Sequence, residues 1–483
     1  MSVSAKGMVA KVSRISWIAM GLAVVSLGAA ETDTRLVMAA QSGEMNAVLV
    51  LLKQRVDVNV PLPDGTTALH WAVRWNSIDA VDQLIRAGAN VNAVSRYHVT
   101  PLALACTNGS AAIAERLLQA GANPNASSTG EPPIMVASRT GDVETIKVLL
   151  AGGAPVNATE TERGQTALMW AVAEGNAEAA NVLIEHGADV NARSRNGFTP
   201  LLFAVRKGDA SSVRTLLAAG ASPNEKASDG TPVAFVAIMN GHYELAAALF
   251  DHGADPDGAD KAGRTALHAI IATRSSLGAQ FQYTPPPTQT GSVDSAGLMG
   301  VLLARGANPN ARMGKLEAQG TLGRSVAQSI DARLNLEGAT PWLLAAQNAD
   351  VEMMRLLLGA GADPQLPTSE NSTPLMAAAG LSSRPRQGGP SPAAVLEAVR
   401  LTLDLGNDVN AVNVHGQTPL HGAVYRGLGD VIQLLVDRGA KLDAKDVRGR
   451  TPAALADDLS ETLISAGRGS AIALLGKLTA EGR

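Results

Sequence analysis

A chain of 483 residues with one cysteine, 3% aromatics and a formal charge of −4 excludes several function classes. One thiol supports neither a disulfide framework nor a Cys-based zinc site, and a slightly acidic chain without an evident basic face suits no phosphate backbone, so no nucleic-acid partner is expected. The length would ordinarily suggest about three domains, unless the core grows along a repeat.

Residues 1–30 carry Lys6, Lys11 and Arg14, then an apolar run from Ile15 to Ala30 that closes on Gly28, Ala29 and Ala30. This predicts a signal peptide cleaved after Ala30, and a periplasmic or secreted mature chain. Losing three cations takes the charge from −4 to −7. An uncleaved anchor would need about 20 apolar residues, so no stable membrane insertion is expected after cleavage. The residue directly after Ala30 is Glu31 and not a cysteine, so a lipid anchor has no support.

Beyond that point one phrase recurs. Thr followed by Ala or Pro and then an apolar residue stands at Thr67, Thr100, Thr166, Thr199, Thr265, Thr340, Thr373, Thr418 and Thr451, many of them 33 residues apart. Pro132 and Pro232 hold the same slot, and Thr34 lies 33 residues before Thr67, which makes about twelve units. Gly-Ala pairs such as Gly88-Ala89 and Gly187-Ala188 close most units, usually leading to an Asn such as Asn92 or Asn191. A period of this size predicts stacked supersecondary units.

Each anchor Thr can accept hydrogen bonds from free helix amides, and Pro200, Pro374 and Pro419 suit the first helical position. A short helix of about nine residues is expected from each anchor to a Gly such as Gly109, Gly175 or Gly208. A second follows with Ile78, Val81, Leu84 and Ile85 on one face, ending at Gly88. Helices this short are marginal alone, so neighbouring units must bury their apolar faces. At about 9 Å per packed unit, twelve units would span on the order of 100 Å.

The phrase Thr-[Ala/Pro]-Leu-His at Thr67, Thr265 and Thr418, with Gly-Ala-[Asp/Asn] closing the units, resembles the ankyrin repeat over residues 34–480. The expected fold is all-α: an ankyrin-repeat solenoid of stacked helix-turn-helix-loop units with short β-hairpin-like loops and two disrupted repeats. Residues 31–483 form one domain, with an N-terminal cap repeat at 34–66, regular repeats at 67–264, a repeat with two insertions at 265–339, repeats with an insertion at 382–392 within 340–450, and a C-terminal cap at 451–483. The first insert, about 275–295, contains Pro285-Pro286-Pro287 and reads as an extended loop. The second, about 313–338, spaces Leu322, Val326, Ile330 and Leu334 as a short extra helix would.

The recurring His70, His268 and His421 invite a metal or catalytic reading, but a residue copied to one place in distant units is scaffold. By the resemblance, each pairs with its anchor Thr and links adjacent units. His98, His186, His242, His252 and His415 show no metal-ligand spacing. Cys106 lies in the apolar part of a first helix and reads as a small buried hydrophobe. With no nucleophile, base and oxyanion set, no enzyme activity, cofactor or metal is expected.

Function then falls to the surface. The resemblance places a protein partner on the concave side, against loop tips and the exposed ends of first helices. Carried over position by position, the helix ends give Arg74 and Trp75, Arg139, Arg206 and Lys207, Met239, and Tyr425 and Arg426. The tips give Arg96 and Tyr97, Arg163, Arg195, and Phe198 just beyond its Gly. Trp75, Tyr97 and Phe198 beside arginines have the composition of interface hot spots, whereas Trp71 and Trp170 are expected in the core. Tyr97-His98 departs from the Asp-Gly tips at Asp64 and Asp229, so a regular tight turn is not expected there. The sequence reads as a monomeric, non-catalytic binding scaffold of unknown partner. The alternatives are a spacer bridging two partners, or an enzyme or metal site completed by the inserts at 275–338.

Overall fold

The computed structural model describes residues 33–127, 130–274, 291–315, 334–381, 389–462, 473–478 and 480. The expected signal segment, most of both long inserts with the expected extra helix, and residues 382–388 of the 382–392 insert lie outside these residues.

Each anchor opens a helix. The hydroxyl oxygens of Thr100, Thr166, Thr199, Thr340 and Thr373 accept from the amide three residues on, at 3.2–3.3 Å. These caps start the helices Pro101–Asn108, Ala167–Glu174, Pro200–Lys207, Pro341–Gln347 and Pro374–Ala379. Pro132 and Pro232 lack a cap oxygen, yet their extended backbone still leads into Pro133–Thr140 and Val233–Met239. Gly109, Gly175 and Gly208 stop their helices at φ of 66°, 82° and 79°, where a Cβ would crowd the following carbonyl.

The second helices of the regular units are nine residues long, as in Ile78–Arg86, Ala111–Gln119 and Ala177–Glu185. Ile78–Arg86 buries Ala80, Val81 and Leu84, while Ile78 and Ile85 flank that core half-buried. First helices stack on first helices and second on second. One apolar core therefore runs unbroken from Leu36 to Leu478. Burying a residue such as Leu84 contributes about 1.5–3 kcal/mol, which a lone nine-residue helix lacks.

The closing Asn residues tie unit to unit. Asn92 Nδ2 donates to the Gly121 carbonyl at 2.9 Å while its Oδ1 accepts from the Asn123 amide at 2.8 Å. Asn59, Asn224 and Asn410 repeat the pattern, each satisfying a carbonyl left over at a helix end. Asn310 makes it across 51 residues to Gly361.

The interrupted unit keeps this register. Ala266–Arg274 and Ser295–Ala304 pair as its two helices. The second insert leaves and returns at one point, where Met313 donates to Ala339 at 2.9 Å and Gly338 donates to Met313 at 2.8 Å. Isolated antiparallel bridges at Thr159–Thr166 and Lys226–Pro232 are the hairpin-like element of the loops. At the C-terminal end Pro452–Thr462 packs on Pro419–Arg426.

Candidate functional site

The three anchor histidines sit between units. The Thr67 amide donates to His70 Nδ1 at 3.1 Å, and His70 Nε2 lies 3.1 Å from the Val99 carbonyl. A carbonyl only accepts, so Nε2 carries the proton, Nδ1 accepts, and the ring is neutral. His268 and His421 repeat the arrangement with Ala339 and Arg450 at 3.3 and 3.2 Å. Burial pushes all three imidazoles below their ordinary range, His268 down to about 4. These are joints of the stack. Among the described residues no group of three or more His, Cys, Asp or Glu could hold a metal ion.

The loop tips form a second joint by backbone. Arg96 donates to the Asp64 carbonyl at 2.7 Å, Arg195 to Arg163 at 2.7 Å, Ser369 to Glu337 at 2.8 Å and Val447 to His415 at 3.0 Å. Side chains at these positions therefore stand in a row along the stack. The Tyr97-His98 tip is a correction to the sequence reading: His98 takes the left-handed conformation, φ 58°, that Gly takes elsewhere. The turn closes regularly, with His98 donating to Ser95 at 2.9 Å and Ser95 to Val99 at 3.0 Å.

Tyr97 is 66% exposed at this tip, and Trp75 is 52% exposed at its helix end. Trp75 leans over the preceding unit, where its Nε1 donates to the Ala40 carbonyl at 3.1 Å and its ring covers Gly43. The bond fixes one edge, and the part of the ring that does not cover Gly43 is left to solvent. Met239 is 40% exposed at the end of the first helix five units along, in a stack whose first helices share one side. Arg74, Arg96, Arg139, Arg163, Arg195, Arg206 and Lys207 are all exposed. Arg139 lies 3.7 Å from Glu131, and the Arg195 guanidinium donates to the Glu162 carbonyl at 3.1 Å.

Other predicted positions fare differently. Tyr425 is 7% exposed against Leu455, because the helix Pro452–Thr462 covers it, so it belongs to a junction and not to a free surface. Arg426 is half-buried against Gly380, and burial pulls its guanidinium below the ordinary value. Phe198 is half-buried, its ring 5.5 Å from that of Phe203. Trp71 and Trp170, expected in the core, are instead half-buried beneath Arg74 and Arg139, whose guanidinium carbons lie 5.7 and 5.8 Å from the ring centroids. Sequence reasoning missed this pairing, although an Arg three residues after Trp71 on one helix is the signal that could have found it.

A family model described as ankyrin repeats (3 copies) matches residues 36–128, 102–194, 134–227 and 201–280. That of the single ankyrin repeat matches 337–369 and 415–447, and together they take in more than half of the chain. The chain is 35% identical over 107 residues to human NF-kappa-B inhibitor alpha, 22% of this chain and 32% of that protein. It is 32% identical over 127 residues to human cyclin-dependent kinase inhibitor 2A, 26% of this chain and 73% of that protein. The solved ankyrin repeat domain of human ASB11 is 27% identical with a TM-score of 0.42, covering 46% of this chain and 98% of that domain. For several curated relatives the matched stretch spans a third or less of their own length.

Proposed function

The chain belongs to the ankyrin repeat family, and on that premise we propose that it is a non-catalytic scaffold acting after secretion, binding a protein partner along its first-helix ends and loop tips. The carrying observation is the exposure of Trp75 and Tyr97, at 52% and 66%, in a chain with only 3% aromatics. Large rings left in water beside arginines are the usual makings of an interface hot spot. Two relatives support this direction by their names, one an inhibitor of NF-kappa-B and one of cyclin-dependent kinase. Tips joined by backbone bonds present their side chains already ordered, so binding costs little further ordering. The signal-like residues 1–30 motivate the periplasmic or secreted setting, and the monomeric state is part of the same proposal.

The test is cross-linked capture from the native envelope and medium with the full chain as bait, beside a Trp75→Ala, Tyr97→Ala, Arg206→Ala version. A partner held by the first and lost by the second supports the site. Equal capture by both removes it.

A second reading, a spacer bridging two partners, rests on separate exposed apolar positions near the other end, Val412, Val414 and Val447, at 47%, 56% and 66%. Hydrogen exchange with the captured partner separates the two: protection confined to one zone supports a single site, and protection at both ends supports the spacer.

A further inference from the structure

Asn-Gly pairs occur three times, at Asn108-Gly109, Asn196-Gly197 and Asn240-Gly241, and all three asparagines are exposed. A following residue without a Cβ lets its amide nitrogen approach the asparagine side chain closely. Two of the pairs are tied down. Asn108 and Asn240 stand at the ends of the first helices Pro101–Asn108 and Val233–Met239. Asn108 Nδ2 donates to the Val73 carbonyl of the preceding unit at 2.9 Å, and Asn240 Nδ2 to the Val236 carbonyl at 2.7 Å.

Asn196 lies instead on a loop tip, at the position that Asp64 and Asp229 hold in theirs. Those two carboxylates accept from the amides of Thr66 and Thr231, two residues on, each at 2.9 Å. At the Asn196 tip the equivalent amide, that of Phe198, is taken by the Ser194 hydroxyl at 3.0 Å. The Asn196 side chain is left with no hydrogen bond among the described residues. The carbonyls of Asp64, Arg163, Glu370 and His415, at the same position, each accept from the following tip; among the described residues that of Asn196 does not. Arg195 keeps the joint to Arg163, so this tip is fastened to its neighbours on one side only.

We propose that Asn196-Gly197 is a site of spontaneous covalent modification, cyclisation to a succinimide followed by hydrolysis, and that the other two pairs are protected by the stack. The Gly197 nitrogen attacks Asn196 Cγ. A C–N bond forms, the Cγ–Nδ2 bond breaks, and the Gly197 proton leaves with the side-chain nitrogen as ammonia. Water then opens either imide C–N bond. Opening at Cγ leaves aspartate; opening at the backbone carbonyl leaves isoaspartate, whose main chain runs through the former side-chain carbonyl. Water is consumed, ammonia is released and nothing is oxidised. Because the attack is intramolecular, its rate follows how often the two atoms meet. The Gly197 amide must first release the Ser194 carbonyl, which it bonds at 2.8 Å. On an exposed tip fastened on one side that opening is local, whereas at Asn108 and Asn240 a side-chain bond and a helix end must open as well. Either product sets a carboxylate between Arg195 and Phe198, and isoaspartate also lengthens the tip backbone. The inference goes beyond the scaffold reading and does not depend on it.

The test is mass spectrometry of the full chain, held folded at pH 8 and then digested, with heavy-oxygen water in the digest to mark conversions made during handling. Replacement of the amide by an acid is expected at Asn196 at least about tenfold faster than at Asn108 or Asn240. In guanidinium, where only the local sequence acts, the three rates are expected to converge within about threefold. The converted peptide should separate into two species of equal mass, only one of which co-elutes with the same peptide from an Asn196→Asp chain. A single species matching Asn196→Asp would mean direct hydrolysis without the cyclic intermediate and overturn the mechanism. Conversion of Asn108 or Asn240 in the folded chain at the rate of Asn196 would overturn the protection by the stack. An Asn196 that keeps its amide while folded and loses it only in guanidinium would overturn the site itself.

Discussion

His268 Nε2 lies 3.3 Å from the Ala339 carbonyl across 71 residues of chain, the same bond that His70 makes to Val99 across 29. The extra residues are accommodated outside the joint, and the two units on either side meet as ordinary neighbours do. Continuity of the stack there depends on a buried neutral imidazole and on the closing bonds between Met313, Gly338 and Ala339.

Replacing His268→Ala should therefore destabilise the protein by about 3 kcal/mol, since it leaves the Thr265 amide and Ala339 carbonyl without this partner and opens a cavity. His70→Ala should cost similarly. Urea unfolding measures both, and a midpoint for His268→Ala within error of the wild type would show that the joint does not depend on the ring.

Acid should weaken the same joints. The unfolded chain takes up protons below about 6.5, whereas burial holds the folded His268 neutral down to about 4. Between those values the unfolded state binds more protons. The contribution is thus fully present above 6.5 and is lost as pH falls toward 4, about 3 kcal/mol in all. His70 and His421 shift in the same direction. Melting temperature followed from pH 7 to 4 should fall, less steeply in His268→Ala, and parallel curves for the two proteins would contradict this assignment.

The repeat was legible because its signals are local. Thr100, Thr166 and Thr199 cap their own helices, and Gly109 and Gly175 end them, within the span of one unit. What could not be read was where a side chain at a helix end turns once units are stacked. Trp75 reaches back to Ala40, Tyr425 disappears under Pro452–Thr462, and Trp71 and Trp170 rest beneath Arg74 and Arg139. Each outcome depends on the neighbouring unit, which spacing within a unit does not describe. The tip at Tyr97 misled for a related reason: the turn is closed by Ser95 and the bond to Asp64, so His98 is held in a conformation it would not choose alone.

Two glycines separate backbone conformation from crowding. Gly439 has φ 89° and nothing within 4 Å of a Cβ, so Gly439→Ala should cost only the left-handed penalty of about 1 kcal/mol. Gly416 has φ 72°, and a Cβ there would meet Asp446 Cα and Val447 N at 2.9 Å. Gly416→Ala must displace the tip that Val447 joins to His415, and should cost at least about twice as much. Equal losses in thermal melts would mean that the tip yields freely.

Arg274 ties the interrupted unit to the next. Its guanidinium donates to Asp350 at 2.7 Å, Glu352 at 2.7 Å and Ser295 at 2.8 Å. Arg274→Met keeps much of the stem but leaves Asp350, with a side chain only 14% exposed, without its cation. A loss of about 1–2 kcal/mol is expected, discounted for the solvent exposure of Glu352. Faster hydrogen exchange confined to Ser295–Ala304 and Val351–Gly359 is the accompanying sign, and unchanged exchange there would reduce the contact to a surface pair.

Cys106 reports on whether the stack opens. Its side chain is fully buried in Pro101–Asn108, and burial, aided by the charge of Asp142, pushes the thiol up to about 12. The thiolate is the reactive form, so both access and ionisation are suppressed. A disulfide reagent should leave the native protein unlabelled at pH 8 and label one thiol at once in denaturant. Because first helices are packed on both sides by their neighbours, labelling without denaturant requires the Thr100 unit to separate from one of them, and its rate would then measure that opening. Rapid native labelling would show that the joints around Thr100, which lacks the anchor histidine of Thr67, are the weak point of the array.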